Sequence, residues 1–218
     1  MILAIDGPAG AGKSSVAKAV AKALGWRFVD TGAMYRAVAL AVLESGVDAE
    51  DHAALEKIAA DVDITLRSDR VLLNGRDVTE RIRDPDVTEL VSRISAVGGV
   101  RAAMVTRQRA TDSRGGIVLE GRDIGTRVFP DAEVKFFLTA SLDARADRRR
   151  RQLRLPDNPA TLAALRESLE RRDEADSTRA ESPLARAPDA VSLDTTAMTL
   201  DEVVGEIVAL VRRRADGG

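Results

Sequence analysis

Gly7, Pro8, Ala9, Gly10, Ala11, Gly12, Lys13 and Ser14 fit the spacing G-x-x-x-x-G-K-[ST] in full. The chemistry of that spacing is anion capture. Glycines let the backbone curl around a phosphate without Cβ clashes. The loop amides then point inward as a nest, and the helix behind them adds the positive end of its dipole. In this pattern Lys13 reaches the β- and γ-phosphates of a nucleotide, and the Ser14 hydroxyl, with Ser15 next to it, meets Mg2+. A glycine-rich turn that binds nothing has the same spacing, so the flanks decide. Residues 1–5 are a short apolar run suited to a buried strand. Residues 14–24 then place Val16, Val20 and Leu24 at helical spacing. Both halves of the required context are present.

Arginines supply the other chemistry. Arg36 follows Tyr35, the only tyrosine, at the start of a predicted helix, where a guanidinium can bind a phosphate bidentately. Arg122 and Asp123 come directly after the apolar run 117–119, and ligands in open α/β sheets bind beyond the carboxyl ends of strands. Neighbouring residues of opposite charge also read as a surface ion pair, although successive side chains of an extended segment point opposite ways. Arg172, Asp176 and Arg179 stand at i, i+4 and i+7, which is one face if the helix reaches that far. A solvated charge stripe has the same spacing. Asp147 is followed by Arg148, Arg149, Arg150 and Arg151, four adjacent cations that repel one another until a polyanion or solvent relieves them. Arg145 and Arg149 share a helical face.

Several chemistries lack material. The chain has no cysteine, which removes disulfides, thiolate catalysis and zinc–thiolate sites. His52 is the single histidine and follows Glu50 and Asp51 at an apparent helix start, so it reads as a surface residue. Thirty-three basic against thirty-five acidic residues leave a net charge of −2, which speaks against coating nucleic acid or anionic membrane by bulk charge. Three per cent aromatic residues speak against base-stacking platforms, so the arginine run is not read as an RNA site. No apolar run approaches the roughly 18 residues of a membrane span. Residues 1–6 have no basic start and reach Asp6 at once, so no secretory signal is expected and the cytoplasm is the default.

The elements that must position these groups alternate. Strands are expected at 1–5, 26–29, 117–119, 134–138 and 190–193. Helices are expected at 14–24, from Asp30 or Thr31 to 43, and at 145–153. A further one runs from Asn158 to about 176, with Pro159 at its first position. Thr199 and Glu202 form a capping box that opens a last helix, and Gly217 and Gly218 are expected to fray. Between 47 and about 100 the alternation stops. A helix at 50–60, two runs at 62–66 and 71–73, a tight turn at Asn74 and Gly75, and helices at 86–96 and 98–112 read as an insert. The fold class is α/β: a parallel five-stranded sheet with helices on both faces and a small mixed insert. The core takes 1–46 and 100–218 and the insert 47–99.

Three classes of nucleotide protein compete: a small-molecule kinase, a GTPase switch and a motor or transporter subunit. Asn74 and Asn158 are the only asparagines and neither precedes lysine, so the base-reading motif of GTPases is missing. Phosphoryl transfer between two polyanions is mainly positioning and charge neutralisation, which suits the clustered arginines. The chain also resembles the bacterial cytidylate kinases along its whole length. The resemblance rests on residues 7–14 and on Asp30 to Arg36. It continues through Ser92, Val100 and Arg101, and Arg107 to Arg109. It rests also on Glu120 to Thr126, on Val128 to Pro130, and on Arg171, Arg172, Asp173, Asp176 and Arg179. The Gly-Arg-Asp-x-Gly-Thr segment and the long insert are its specific parts.

The resemblance implies a P-loop kinase core with a short helical lid at about 150–160 and a monophosphate-binding insert at 47–99. It implies ATP-dependent phosphorylation of CMP and dCMP by in-line transfer, with Mg2+ accompanying ATP and the chain acting as a monomer. Gly7 to Ser15 and Arg145 would bind ATP, and Ser14 would meet the metal. Thr31, Tyr35, Arg36, Ser92, Arg101, Arg122, Asp123, Arg172 and Asp176 would bind CMP. Of these, Asp123 and Ser92 would read the base and Asp176 hold the sugar. Lys13, Arg149, Arg172 and Arg179 would serve the transferring phosphoryl group. Without the resemblance, Ser92 and Arg101 are polar residues on helices and nothing more. UMP or another monophosphate, or a regulator that binds ATP without turnover, are the competing readings.

Overall fold

The computed structural model describes residues 1–67, 69–111 and 114–216. The chain divides into two compact units. The first takes Met1–Phe28, Ser113–Thr178 and Ser182–Gly218, and the second takes Val29–Asp112 and Arg179–Glu181.

The first unit is built on β1 (Ile2–Asp6), β6 (Ile117–Glu120), β7 (Val134–Thr139) and β8 (Val191–Asp194). With β2 (Arg27–Asp30) they form a five-stranded parallel sheet in the order β2-β6-β1-β7-β8. Leu3 stands opposite Val118 on one side and Val134 on the other, and Phe136 is opposite Val191. The strand order reverses at β1, so the carboxyl end of β1 is where such a sheet opens a crevice. Leu3, Ala4, Ile5, Val118 and Leu119 are all fully buried. Burial at successive positions means that both faces are covered, which is why these strands read as continuous apolar runs.

Helices α1 (Lys13–Leu24) and α8 (Leu200–Asp216) cover one face, with Val16, Val20, Val203, Ile207 and Val211 packed onto Leu3, Ile5 and Phe136. The capping box forms: the Thr199 hydroxyl and amide donate to Glu202 Oε2, both at 2.8 Å. Helices α6 (Leu142–Leu153) and α7 (Pro159–Thr178) form an antiparallel hairpin, and Ala146 and Leu169 close a small apolar cluster with Ala9. The Asn158 side chain caps α7 by accepting from the Thr161 amide at 2.8 Å. Two helix boundaries bear on the candidate site. Helix α6 starts three residues earlier than expected, because the Ser141 hydroxyl accepts from the Ala144 amide and caps it. Helix α7 ends at Thr178, so Arg179 falls outside the helix and lies in the second unit.

The second unit packs around α2 (Thr31–Ser45). Asp30 caps that helix by accepting from the Ala33 amide at 2.8 Å. Helices α3 (His52–Asp61), α4 (Pro85–Ile94) and α5 (Gly98–Arg109) surround it, burying Leu40, Leu55, Ile94 and Met104 completely. Helices α3 and α5 hold each other's ends. The Glu56 carboxylate accepts from the Gly99 amide at 3.1 Å, and Arg107 donates to the Ala60 carbonyl at 2.8 Å. A small antiparallel sheet completes the unit, made of β3 (Ile64–Leu66), β4 (Val71–Leu73) and β5 (Arg76–Asp77). Asn74 and Gly75 make the predicted turn, both in the left-handed region. Strand β5 is two exposed polar residues and has no apolar pattern to announce it. The compact unit is wider than the 47–99 insert, because α2 and α5 share its core. His52 is exposed at the start of α3, as expected. The expected fraying of Gly217 and Gly218 lies outside the described residues.

Candidate active site

The phosphate loop begins where β1 ends. Gly7 has φ 146, and a Cβ there would lie 2.1 Å from the Leu138 carbonyl oxygen, so only glycine passes between β1 and β7. Gly10 and Gly12 are also at positive φ, and α1 starts at Lys13. The Lys13 side chain is buried, with Nζ donating to the Pro8 carbonyl at 2.8 Å across the loop. Burial and then the Arg122 guanidinium push its pKa down to about 7, against the opposing pull of Glu120, Asp6 and Asp176. Ser14 Oγ donates to Glu120 Oε1 at 2.6 Å, while Ser15 is exposed.

The outer side of the loop is held by the α6–α7 hairpin. Asp173 on α7 accepts from the Ala9 amide at 3.3 Å, and Arg145 on α6 donates to the Ala9 carbonyl at 3.1 Å. Arg145 and Asp173 are themselves ion-paired. Arg145 therefore sits buried beneath the loop. The arginine run has sorted itself. Arg148 donates to Thr195 Oγ1 and to its carbonyl, and Arg150 and Arg151 pair with Asp147. Arg149 donates to Gln152 Oε1 at 2.8 Å on the exposed side.

At the end of β6 the chain turns through Gly121, Arg122 and Asp123 into a single π-helical turn, Ile124–Val128. Arg122 Nε donates to Asp176 Oδ2 at 2.8 Å, which brings together two residues 54 apart in sequence. Burial works against the charge of that guanidinium, yet Asp176, Glu120 and Asp173 more than offset it and raise its pKa. Asp123 is 4% exposed. Asp6, the last residue of β1, accepts from the Ile124 amide at 2.9 Å and the Gly125 amide at 2.7 Å. Burial pushes the Asp6 carboxyl up to about 6. The two amides and Lys13 oppose that rise and Asp123 adds to it. Arg172 is half-buried on α7, four residues before Asp176.

The remaining candidates lie in the second unit. Arg36 Nη2 pairs with Asp30 Oδ2 at 2.8 Å. Its Nε is buried with no hydrogen-bond partner among the described residues, a donor of the kind a ligand oxygen satisfies. The Arg101 guanidinium lies 5.4 Å from the centroid of the Tyr35 ring, a cation–π contact, and donates to the Ser95 carbonyl at 3.1 Å. Thr31 is buried and Ser92 is half-buried on α4.

Three participants carry no role in the sequence reading: Asp6, Glu120 and Asp173. Glu120 had a signal, a carboxylate closing the strand next to the phosphate-loop strand. Asp6 and Asp173 had none, since the amides they accept from lie more than a hundred residues away and Arg145, the other partner of Asp173, stands on a different helix.

A family model described as cytidylate kinase matches residues 3–213. The chain belongs to the cytidylate kinase family. A cytidylate kinase of Solibacter usitatus is 49% identical over 220 residues, covering 100% of this chain and 95% of that protein. One of Anoxybacillus flavithermus is 47% identical over 219 residues, covering 99% and 97%. A bifunctional pantoate ligase/cytidylate kinase of a Synechococcus species is 49% identical over 219 residues, covering 97% of this chain and 41% of that longer protein. In this cytidylate kinase family member, no helix among the described residues is long and apolar enough to cross a membrane.

Proposed function

We propose that this chain transfers the γ-phosphoryl group of ATP to CMP, giving ADP and CDP, and accepts dCMP in the same way. The family membership supports the reaction and the acceptor. The observation that carries the reading is electrostatic. Lys13 of the phosphate loop is buried and Arg122 of the Gly-Arg-Asp segment is half-buried, close enough for its charge to depress the lysine. Carboxylates already compensate Arg122, but at Lys13 burial and the neighbouring guanidinium outweigh them, and a phosphoryl donor and a phosphate acceptor supply the negative charge that would hold the lysine protonated.

In this reading Gly7, Pro8, Ala9, Gly10, Ala11, Gly12, Lys13, Ser14 and Ser15 cradle the ATP phosphates, and Arg145 lies toward the adenine side. Arg122, Asp123, Arg172 and Asp176, with Thr31, Tyr35, Arg36, Ser92 and Arg101, serve the acceptor. An oxygen of the CMP phosphate attacks the γ-phosphorus as the bond to the β–γ bridging oxygen breaks. That acceptor oxygen is already ionised, so no side chain acts as a strong base. Lys13, Arg149, Arg172 and Arg179 neutralise charge on the transferring group. The segment 47–99 is assigned to monophosphate binding and about 150–160 to a lid that excludes water. The chain is read as a cytoplasmic monomer that needs neither nucleic acid nor membrane.

Mg2+ fits this site as a companion of ATP. Among the described residues no three acids or histidines converge into a metal cage. The Ser14 hydroxyl and the Glu120 carboxylate are hard oxygen donors, and Mg2+ is commonly held by one or two such groups plus phosphates and waters. When bound, Mg2+ offsets phosphate charge.

A coupled ADP-release assay with ATP and Mg2+ tests the reading against CMP, dCMP, UMP, AMP and shikimate. Turnover confined to CMP and dCMP is expected. Preference for another acceptor would overturn the cytidine assignment, and ATP binding with no turnover on any acceptor would overturn the kinase reading.

A further inference from the structure

Asp6 is the last residue of β1 and precedes Gly7 of the phosphate loop, yet none of its observed hydrogen bonds goes to the loop. Both carboxylate oxygens are taken by the first two amides of the π-helical turn, Ile124 and Gly125. That turn hangs on the residue before it: the Asp123 carbonyl accepts from the Arg127 amide at 2.8 Å and the Val128 amide at 3.1 Å. Fixing the turn therefore fixes the peptide that carries Asp123, and with it the preceding Arg122. The space is closed as well. A Cβ on Gly125 would meet Lys135 Cδ at 3.1 Å and Asp6 Oδ2 at 3.4 Å. Lys135 is itself buried and anchored to the Asp189 carboxylate at 2.8 Å. A carboxylate buried to this degree is costly, so its retention calls for a return beyond two amide contacts that a polar turn would find in water.

We propose that Asp6 is a positioning residue for the transfer reaction, one that locks the acceptor-reading segment Arg122–Asp123 in register with the phosphate loop. The proposal rests on the assignment of Arg122 and Asp123 to the acceptor. Asp6 touches no reacting atom. Its carboxylate makes the start of the phosphate loop and the start of the acceptor turn one rigid piece, so that two ligands bound by separate segments meet at a fixed separation. Misplacement of about 1 Å in such an arrangement costs on the order of a hundredfold in rate.

Asp6→Asn is the test. A carboxamide offers one acceptor oxygen and turns an NH2 toward the second amide, so one of the two bonds is lost at nearly constant volume. Loss of one such bond corresponds to about tenfold in an equilibrium constant. The expected result is a fall in kcat per folded enzyme approaching a hundredfold, with about a tenfold rise in the KM for CMP and in its calorimetric Kd measured without ATP as the acceptor segment loosens. The KM for ATP should change less than about twofold. A merely structural Asp6 would lower the melting temperature and the active fraction while leaving both KM values in place, and that pattern overturns the proposal. So does an equal rise in both KM values. Should Asp6→Asn not fold, Gly125→Ala takes its place: its methyl crowds the same junction from the turn side, and an unchanged KM for CMP overturns the proposal. Asp123→Asn separates this idea from the one beneath it. If Asp123→Asn leaves CMP affinity intact, the acceptor assignment fails. If it weakens CMP while Asp6→Asn does not, only the positioning role fails.

Discussion

The phosphate loop and the Gly121–Val128 segment both leave the carboxyl end of a central strand, and both are assigned to ligands in the proposed reading, but they reach their shapes differently. The loop is shaped from within. Gly7, Gly10 and Gly12 adopt positive φ, so the residue types mark the path, and Asp173 and Arg145 only brace its outer side at Ala9. The second segment is shaped from outside, by Asp6 on a neighbouring strand and by Lys135 beside Gly125. Self-shaped backbone writes its geometry into local sequence. Backbone shaped by a distant carboxylate does not.

The sharpest way to break the comparison is to damage the loop from within. Gly7→Ala places a methyl on the Leu138 carbonyl oxygen at a φ that alanine avoids. It should destabilise the chain by more than about 4 kcal/mol, read as the urea midpoint. Lys13→Met keeps the three glycines, gives up the bond to the Pro8 carbonyl and should lower kcat roughly a thousandfold in steady-state assays. It should also abolish a proton linkage. With its pKa held near 7, Lys13 is mostly neutral at pH 8, and bound phosphates favour its charged form. ATP binding at pH 8 should therefore take up protons in the parent chain and not in Lys13→Met, as calorimetry in two buffers of different ionisation enthalpy would register.

The segment shaped from outside should answer to pH. The Asp6 carboxyl is raised in the folded chain from 3.8 to about 6, so between those values the folded state binds more protons than the unfolded state. Stability from this group is therefore greatest below about pH 4 and declines as pH rises through 6, by at most about 3 kcal/mol. Asp6→Asn should flatten that decline, measured as the difference in urea midpoint between the two chains from pH 4 to 7. The smallest effect is expected at Arg151. Its pair with Asp147 is an exposed i,i+4 contact, and Arg151→Ala should change stability by less than about 0.5 kcal/mol.

Legibility in the sequence follows the same divide. The loop, the caps at Asp30, Asn158 and Thr199, and the turn at Asn74 and Gly75 were readable because each rests on a residue and its near neighbours. The parallel sheet was readable because strands covered on both faces become unbroken apolar runs. The start of α6 was not, since Ser141 caps it without an acid three residues on and the arginine density drew the boundary inward. Strand β5 and the π-helical turn have no periodicity to read. Among the site residues, spacing brought Arg172 and Asp176 to one helix. Only the structure joined Asp176 to Arg122 and Asp173 to Ala9.

Strand β8 has one further consequence. It closes the sheet beside β7 and, among the described residues, pairs on that side alone. Val191 is 43% exposed on it, so its outer row of amides and carbonyls is a template on which another chain could align. The strand is only four residues long. Asp189 just before it and Asp194 at its end place a negative charge at each approach, so a second copy docking edge to edge would bring like charges together. Asp189 is already paired with Lys135, so the repulsion that discourages edge-to-edge growth into ordered aggregates at high concentration falls mainly to Asp194.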